Sequence, residues 1–411
     1  MNPNLPQTFI VACVLALVQS LAALPWLCAL NTEKLDRELR RPMALLGFVA
    51  AVIGLGAALT AIMMFRGDPE KLEFDGRMYG SILHLQLIVD FVIILVAVML
   101  RFWPKGGTVA FAAFREGYRQ PMFWLIGGLI VILLTISMVV PYFTLGEDFK
   151  MMKQLSFDMI KLSTVLFVVL AASISVSEEI EGRTAVTLMS KPVTRRQFLL
   201  GKFAGILLAA LLLTLLLSWF QNWALYIKPR FDRLEDSWDP LSVEVQRIIA
   251  PKFEGLATIT EPKGFLNGIG LHCGETLANL CGLALGFGQG MIMLAIAAAL
   301  ATRLSMVVTV VLCLLFYLLG NLAPILASES KQLSARSEIG ALGIVNFLAQ
   351  LLDKLLPSLS FFSTDQVFLR ETYLPPWPFA VYSLSVLGYA ALYSAMALLV
   401  GLFLIEDRDL A

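Results

Sequence analysis

Long apolar runs separated by short polar segments dominate this chain. A helix needs about 20 apolar residues to cross the roughly 30 Å of hydrocarbon in a membrane. Nine runs are that long or nearly so, and they cover residues 8–29, 43–64, 82–100, 121–143, 162–177, 203–220, 272–301, 305–326 and 379–405. None alternates in polarity as barrel strands do. The pattern therefore predicts an all-α polytopic membrane protein with about nine transmembrane helices.

Two of these runs need interpretation at their ends. The fifth is short if it is cut at Lys161, but a lysine near a helix end can extend its side chain to the interface. We therefore expect this helix to begin a few residues earlier. The first run follows Met1 to Gln7, which contain no Lys or Arg. Because a signal peptide begins with positive charge, we interpret this run as a transmembrane helix.

The composition excludes several other classes of protein. Hydrophobic residues make up 58% of the 411 positions and charged residues only 15%, whereas soluble chains carry about 25% charged residues. The 31 basic residues balance the 31 acidic residues, so we expect no nucleic-acid partner. Two His and five Cys are too few for a metal or disulfide framework. We expect no metal site, even around His272, Cys273, Glu275 and Cys281.

The distribution of Lys and Arg predicts the orientation in the membrane. These residues are about twice as dense in one alternate set of segments as in the other, and cytoplasmic loops carry the excess of positive charge. The N-terminus is then outside and the C-terminus is in the cytoplasm. We expect a multi-pass protein of the plasma membrane, of the bacterial cytoplasmic type. The predicted cytoplasmic segments are 30–42, 101–120, 178–202, 302–304 and 406–411.

A break near residue 105 predicts two domains. Pro104 and the Gly-Gly pair at 106–107 interrupt the apolar pattern. Before the break lies a three-helix transmembrane extension, 1–105. After it lies a six-helix domain, 106–411, which contains two long external loops, 221–271 and 327–378.

Three shorter amphipathic stretches fall in the second domain. Phe111, Phe114 and Tyr118 share one side of 106–120, which is typical of a helix lying in the inner interface; the alternative is the cytoplasmic end of the fourth span. In the external loops we expect a short helix within 240–253 and another over 341–356. The latter is too short to span and contains Asp353 and Lys354, so we place it at the outer surface.

The cytoplasmic segment from Ser177 to Lys202 reads SEEIEGRTAVTLMSKPVTRRQFLLGK. The fifth span continues as a helix through three acidic residues, and Glu179 stands four residues before Arg183, the favourable order for an ion pair. A short helix follows, with Ala185, Leu188 and Met189 on one side. Such a helix, apolar on one side and charged around it, can dock into a groove on a soluble partner.

The end of this segment predicts how the sixth span begins. Pro192 terminates the short helix, and Thr194 with Gln197 forms the pattern of a capping box. Beyond it, Arg195, Arg196 and Lys202 are basic residues near the membrane surface. We expect them at headgroup level, where they can contact membrane lipids with negative charge.

This segment resembles the signature of type-2 ABC transporter permeases, the membrane subunits of ATP-driven exporters. Arg183 departs from the family pattern by separating the usual Gly-Thr pair, and Val186 stands where an acidic residue is common. The segment 106–124 is similar to the family's elbow helix and first span, and 405–410 to its charged C-terminus. The matching residues are Glu178, Glu179, Glu181, Gly182, Thr184, Leu188, Lys191, Pro192, Thr194, Arg195, Gly201 and Lys202.

The resemblance covers about 106–411 and implies a six-span permease core that docks a separate cytoplasmic ATPase. It also implies a second permease copy or a homologue. ATP and Mg²⁺ would be bound by the ATPase, because 196–203 lacks the glycine and the Ser/Thr of a phosphate-binding loop. We expect no cofactor and no catalytic residue in this chain. The residues implied in ATPase coupling are Glu178, Glu179, Glu181, Arg183, Thr184, Leu188, Met189, Lys191, Pro192 and Arg195.

Two weaker signals lie within the spans. Gly274, Gly282, Gly286 and Gly290 recur on the seventh span, and small residues allow close packing of transmembrane helices; the alternative is a flexible helix beside the transport path. Asp90 is a carboxylate well inside a span, and such groups are functional candidates. It could serve a proton relay or pair with a partner subunit, or it could be hydrogen-bonded in a helix interface.

The sequence therefore favours the permease subunit of an ATP-driven ABC transporter, an exporter by its resemblance. One alternative is an ion-coupled secondary transporter, which would favour inverted repeats and several charges within the membrane. We see no repeat. Another is an intramembrane enzyme acting on lipids, which would need convergent catalytic side chains. Two histidines leave little for such a site.

Overall fold

A computed structural model describes residues 5–30, 42–66, 68–140, 148–181, 194–231, 260–336, 340–364 and 376–406. The regular elements in those ranges are helices. They are α1 (Leu5–Ala22), α2 (Leu24–Leu30), α3 (Pro42–Arg66), α4 (Pro69–Phe102), α5 (Pro104–Arg119), α6 (Pro121–Val139), α7 (Asp148–Glu181), α8 (Arg195–Ile227), α9 (Thr260–Ala301), α10 (Met306–Arg336), α11 (Gly340–Leu355) and α12 (Pro376–Glu406), with 3-10 turns at Lys228–Arg230 and Leu359–Phe362.

Among the described residues, nine helical segments are long and apolar enough to cross a membrane. They are α1 continued into α2, then α3, α4, α6 to α10, and α12. This confirms the predicted all-α polytopic fold. The fifth span, α7, begins at Asp148, which agrees with the expected early start. The helix predicted within 240–253 lies outside the described residues.

Prolines separate the amphipathic helix α5 from the apolar helices on either side. Pro104 and Pro121 occupy the first positions of α5 and α6. The residue before a proline is disfavoured in helical conformation, and Gln120 is extended, with φ −63° and ψ 136°. The stretch 106–120 is therefore a helix distinct from the fourth span. Its location in the inner interface stays a prediction.

The chain divides into two compact units. The first contains Met1–Val98 and Ser218–Leu280, and the second contains Met99–Leu217 and Cys281–Ala411. Helices α8 and α9 contribute a segment to each unit. The predicted functional division at residue 105 stays a prediction.

In the first unit, close contacts at glycines bring helices together. A side chain at Gly76 of α4 would collide with the backbone of Phe265 in α9, and one at Gly268 of α9 would collide with the backbone of Glu73. The two backbones therefore touch where these glycines cross. The adjoining core is apolar and contains Leu59, Met63, Leu72, Tyr79 and Phe265.

In the second unit, α11 packs against α10. The Ser330 hydroxyl donates a hydrogen bond to Asn346 Oδ1 at 3.2 Å. At the far end, a Cβ on Gly320 would lie 3.0 Å from Pro357 O. The location of α11 at the outer surface stays a prediction, and the contact of Asn346 with Ser330 places most of α11 beside the part of α10 beyond the apolar run 305–326.

The crossing of α4 and α9 generates the first testable prediction. Substituting Gly268→Ala should destabilise the first unit by about 1–3 kcal/mol, since an added methyl at a packed position forces the backbones apart. The matched control is Gly54→Ala, because a Cβ there meets nothing within 4 Å. Thermal unfolding in detergent, followed by tryptophan fluorescence, measures the difference. Equal melting temperatures for the two variants would show that the crossing is not tightly packed.

Candidate coupling site

The capping box at the start of α8 forms as predicted. The Thr194 amide donates to Gln197 Oε1 at 3.1 Å, and the Gln197 amide donates to Thr194 Oγ1 at 3.2 Å. These reciprocal bonds satisfy backbone N–H groups that the first turn of a helix leaves free. The first residue of α8 is therefore fixed directly after the segment 182–193, which lies outside the described residues.

A buried polar cluster lies two turns further along α8. The Lys202 ammonium donates to Glu116 Oε2 of α5 at 3.1 Å and to Ser175 Oγ of α7 at 2.9 Å. Lys202 is only 5% exposed. The expectation that it meets lipid headgroups was therefore wrong. Its neighbours include a carboxylate and a hydroxyl within the protein, and a buried charge needs such partners.

Glycines on α8 allow α5 to approach closely enough for this cluster to form. A Cβ on Gly201 would lie 2.8 Å from the Cβ of Val109, and one on Gly205 would lie 2.7 Å from the Cβ of Ala113. Both glycines therefore face α5 across a contact that leaves no space for a side chain. Because Lys202 stands beside Gly201, the close approach also brings its ammonium within reach of Glu116.

Three further hydrogen bonds join the ends of helices near this cluster to one another and to the turn between α9 and α10. The Ser177 hydroxyl of α7 donates to Leu304 O at 3.2 Å, and the Arg195 guanidinium of α8 donates to Ile405 O of α12 at 3.0 Å. Arg303 donates to Leu404 O at 2.9 Å. An apolar cluster lies among them and contains Val176, Phe198, Ala301 and Ile405.

The two helices that flank 182–193 are thus bonded to the same set of neighbours. α7 and α8 share the Lys202 cluster, and each also bonds a backbone carbonyl from elsewhere in the unit. A force applied to the segment between them would reach α5 and α12 through these contacts. The arrangement is a rigid base for whatever lies at 182–193.

The side chains of most predicted coupling residues lie outside the described part of the chain. Backbone helix extends through Glu178, Glu179 and Glu181, but their side chains lie outside the described part of the chain. The same holds for Arg183, Thr184, Leu188, Met189, Lys191 and Pro192. Arg195 is described and bonds α12, and Glu116 is a residue that sequence reasoning missed. The spacing of Gly201 and Gly205 beside Lys202 was the signal that could have located its partner.

Three of the predicted packing glycines face α7 in the second unit. A Cβ on Gly282 would lie 2.8 Å from the Phe157 ring, and one on Gly290 would lie 2.8 Å from Thr164 Cγ2. A Cβ on Gly286 would lie 3.2 Å from the Cβ of Lys161. These are distances of a close helix contact, as the packing interpretation requires. Gly274 is buried in the first unit.

The first unit contains a polar cluster that the sequence did not reveal. Arg77 of α4 is 3% exposed, and its guanidinium contacts both carboxylate oxygens of Glu275 in α9 at 3.1 Å. It also stacks on the Tyr226 ring, 4.3 Å from the centroid. His84 and His272 form a hydrogen bond of 3.3 Å between ring nitrogens. These paired groups hold α4 against α8 and α9.

Asp90 is also in the first unit and is 4% exposed. Its Oδ1 atom is buried and has no hydrogen-bond partner among the described residues. His84 bonds His272 on α9. All three roles considered for Asp90, a proton relay, a contact with a partner subunit and a hydrogen-bonded group in a helix interface, stay predictions.

Comparison with known proteins finds one family that part of the chain resembles. A family model described as ABC-2 family transporter protein matches residues 118–230, slightly more than a quarter of the chain. The matched range runs from the end of α5 through α8 and includes the segment that carries the predicted signature. No curated protein matches the chain significantly. The match supports the resemblance to type-2 ABC permeases over residues 118–230.

Proposed function

We propose that this permease couples ATP hydrolysis by a separate cytoplasmic ATPase to the export of a substrate. The observation that best supports the proposal is the bonded base around Lys202, because it joins α7 and α8, the two helices that the segment 182–193 connects in the chain. An ATPase can move membrane helices only through a mechanical contact. The segment 182–193, docked on the ATPase and attached at its two ends to α7 and α8, would provide this mechanical contact.

In this proposal, 178–192 is the coupling helix. Leu188 and Met189 anchor it in an apolar groove of the ATPase, while charged residues such as Glu179 and Arg183 set its orientation. Movement of the helix displaces the ends of α7 and α8 together. The Lys202–Glu116 contact then carries the displacement to α5, and the Arg195 contact carries it to α12.

The partners follow from the same proposal. ATP and Mg²⁺ are bound by the ATPase, and a second permease copy or a homologue completes the pathway. The protein lies in a plasma membrane, with its N-terminus outside the cell and its C-terminus in the cytoplasm. An ion-coupled mechanism is less well supported, because the buried charges Arg77 and Glu275 are paired with each other and serve to join helices.

Reporter fusions test the proposed orientation. Fusions at residues 35, 190 and 411 should report a cytoplasmic location, and fusions at residues 70, 245 and 365 an external one. The physical basis is the density of Lys and Arg, which is about twice as high in the cytoplasmic segments as in the external ones. An external location for residue 190 would contradict both the orientation and the docking of an ATPase there.

Substitution of the apolar anchor tests the coupling helix. Leu188→Asp with Met189→Asp should abolish co-purification of the ATPase, since losing a central apolar anchor can cost about 2 kcal/mol or more. The matched control is Thr187→Asp, on the opposite side of the predicted helix. Correct insertion is checked by the yield of monodisperse permease. Undiminished ATPase co-purification by the double variant would remove the role assigned to this helix.

Substitution of the buried cluster tests how displacement is transmitted. Glu116→Gln should lower transport without releasing the ATPase, because it weakens a charged hydrogen bond worth about 1.5–3 kcal/mol. The double variant Glu116→Lys with Lys202→Glu should recover part of the activity. The control is Arg115→Gln, since Arg115 is exposed on the same helix. Substrate-stimulated ATP hydrolysis and ATPase co-purification are measured together, and wild-type stimulation in Glu116→Gln would exclude the cluster from transmission.

A further inference from the structure

Helix α11 places a lysine beside the spans of the second unit. Its start lies near the polar end of α10, because Asn346 bonds Ser330, four residues beyond the apolar run 305–326. From there α11 runs back along α10. Leu359 and Pro357, just beyond its last residue, lie against Gly320, ten residues before Ser330 on α10.

The register of these contacts gives the depth of Lys354. It follows Asn346 by eight residues, which is about 12 Å along a helix with a rise of 1.5 Å per residue. Counted back by the same eight residues from Ser330, Lys354 lies level with about residue 322 of α10, a little over one turn inside the apolar run 305–326. Lys354 therefore lies within the spanning part of α10, near one end of it.

The side chain of Lys354 lines a cavity of about 380 Å³ in the second unit. The cavity is open on one side, where Met396 and Val400 are exposed. Tyr393 supplies the other polar side chain of the lining. The remaining walls are apolar and consist of Ile296, Ala299, Leu300, Phe316, Met396, Ala397 and Val400.

Lys354 forms no ion pair or hydrogen bond with any residue in the described part of the chain. Other intramembrane cations of this protein differ in this respect, since Arg77 and Lys202 bind carboxylates. A charged group within the membrane is costly and is retained where it faces a partner or a water-filled path.

We propose that this cavity binds an anionic lipid drawn from the bilayer, with its carboxylate or phosphate on Lys354. The single cation selects a negative group, and the apolar walls with an open side accommodate hydrocarbon. A hydrophilic anion would gain nothing from those walls. The proposal deepens the proposed function by naming the substrate class, and it rests on that function only for the claim that the bound lipid is transported.

Photocrosslinking tests binding without the ATPase. The full chain is placed in vesicles of phosphatidylcholine with a diazirine-labelled stearic acid, and labelled peptides are mapped after illumination. The acid should label the peptide that contains Tyr393 and Met396. Lys354→Met should reduce this labelling by about tenfold or more, because a charge-assisted hydrogen bond is lost, whereas Lys354→Arg should retain it.

Two controls separate recognition of charge from general exposure to lipid. The methyl ester of the same probe should label this peptide weakly and equally in wild type and Lys354→Met, which also shows that the variant is folded. Lys263→Met removes an exposed lysine of the first unit and should change nothing. A loss of acid labelling with unchanged ATPase co-purification assigns the defect to this cavity rather than to coupling.

Three results would overturn the proposal. The first is equal labelling by the acid and the ester, which would make the cavity an ordinary lipid-facing surface. The second is acid labelling that is unaffected by Lys354→Met. The third is carbodiimide coupling of Lys354 to an acidic residue of a second copy of this chain, which would make the cavity an interface between permeases.

Discussion

A buried ammonium within a membrane protein must have a partner, and the contact of Lys202 with Glu116 meets that requirement in the second unit. Taking an unpaired charge out of water costs several kcal/mol or more. The pair forms only if α5 lies directly against α8, and α5 can lie there only because Gly201 and Gly205 have no side chains. Ser175 extends the contact to α7.

The charges of the two units illustrate different consequences of that constraint. In the first unit, Arg77 donates hydrogen bonds to Glu275, and this ion pair joins α4 to α9. In the second unit, the Lys202 cluster joins α5, α7 and α8 beside the proposed coupling helix. Lys354 is the contrasting case, because its partner is not among the described residues of this chain. The paired charges thus lie at contacts between helices, whereas Lys354 indicates the cavity in which we propose that a lipid binds.

Hydrophobic pattern alone predicted the nine spans, and local hydrogen bonding predicted the capping box at Thr194, because both depend on neighbours in sequence. Contacts between distant residues were not predictable in this way. Arg77 and Glu275 are 198 positions apart, and a lysine at the start of a helix looks the same whether it meets lipid or Glu116. The packing of α11 on α10 was not predicted for a related reason, because the bond between Ser330 and Asn346 joins residues of different helices.

The central claim is that this permease works as the membrane half of an assembly with a separate ATPase. Native mass spectrometry of the complex purified through a tag on this chain tests it most directly. The account predicts two permease chains, or one with a homologue, together with two ATPase subunits that bind ATP and Mg²⁺. A fully active transporter containing this chain and no nucleotide-binding subunit would contradict it.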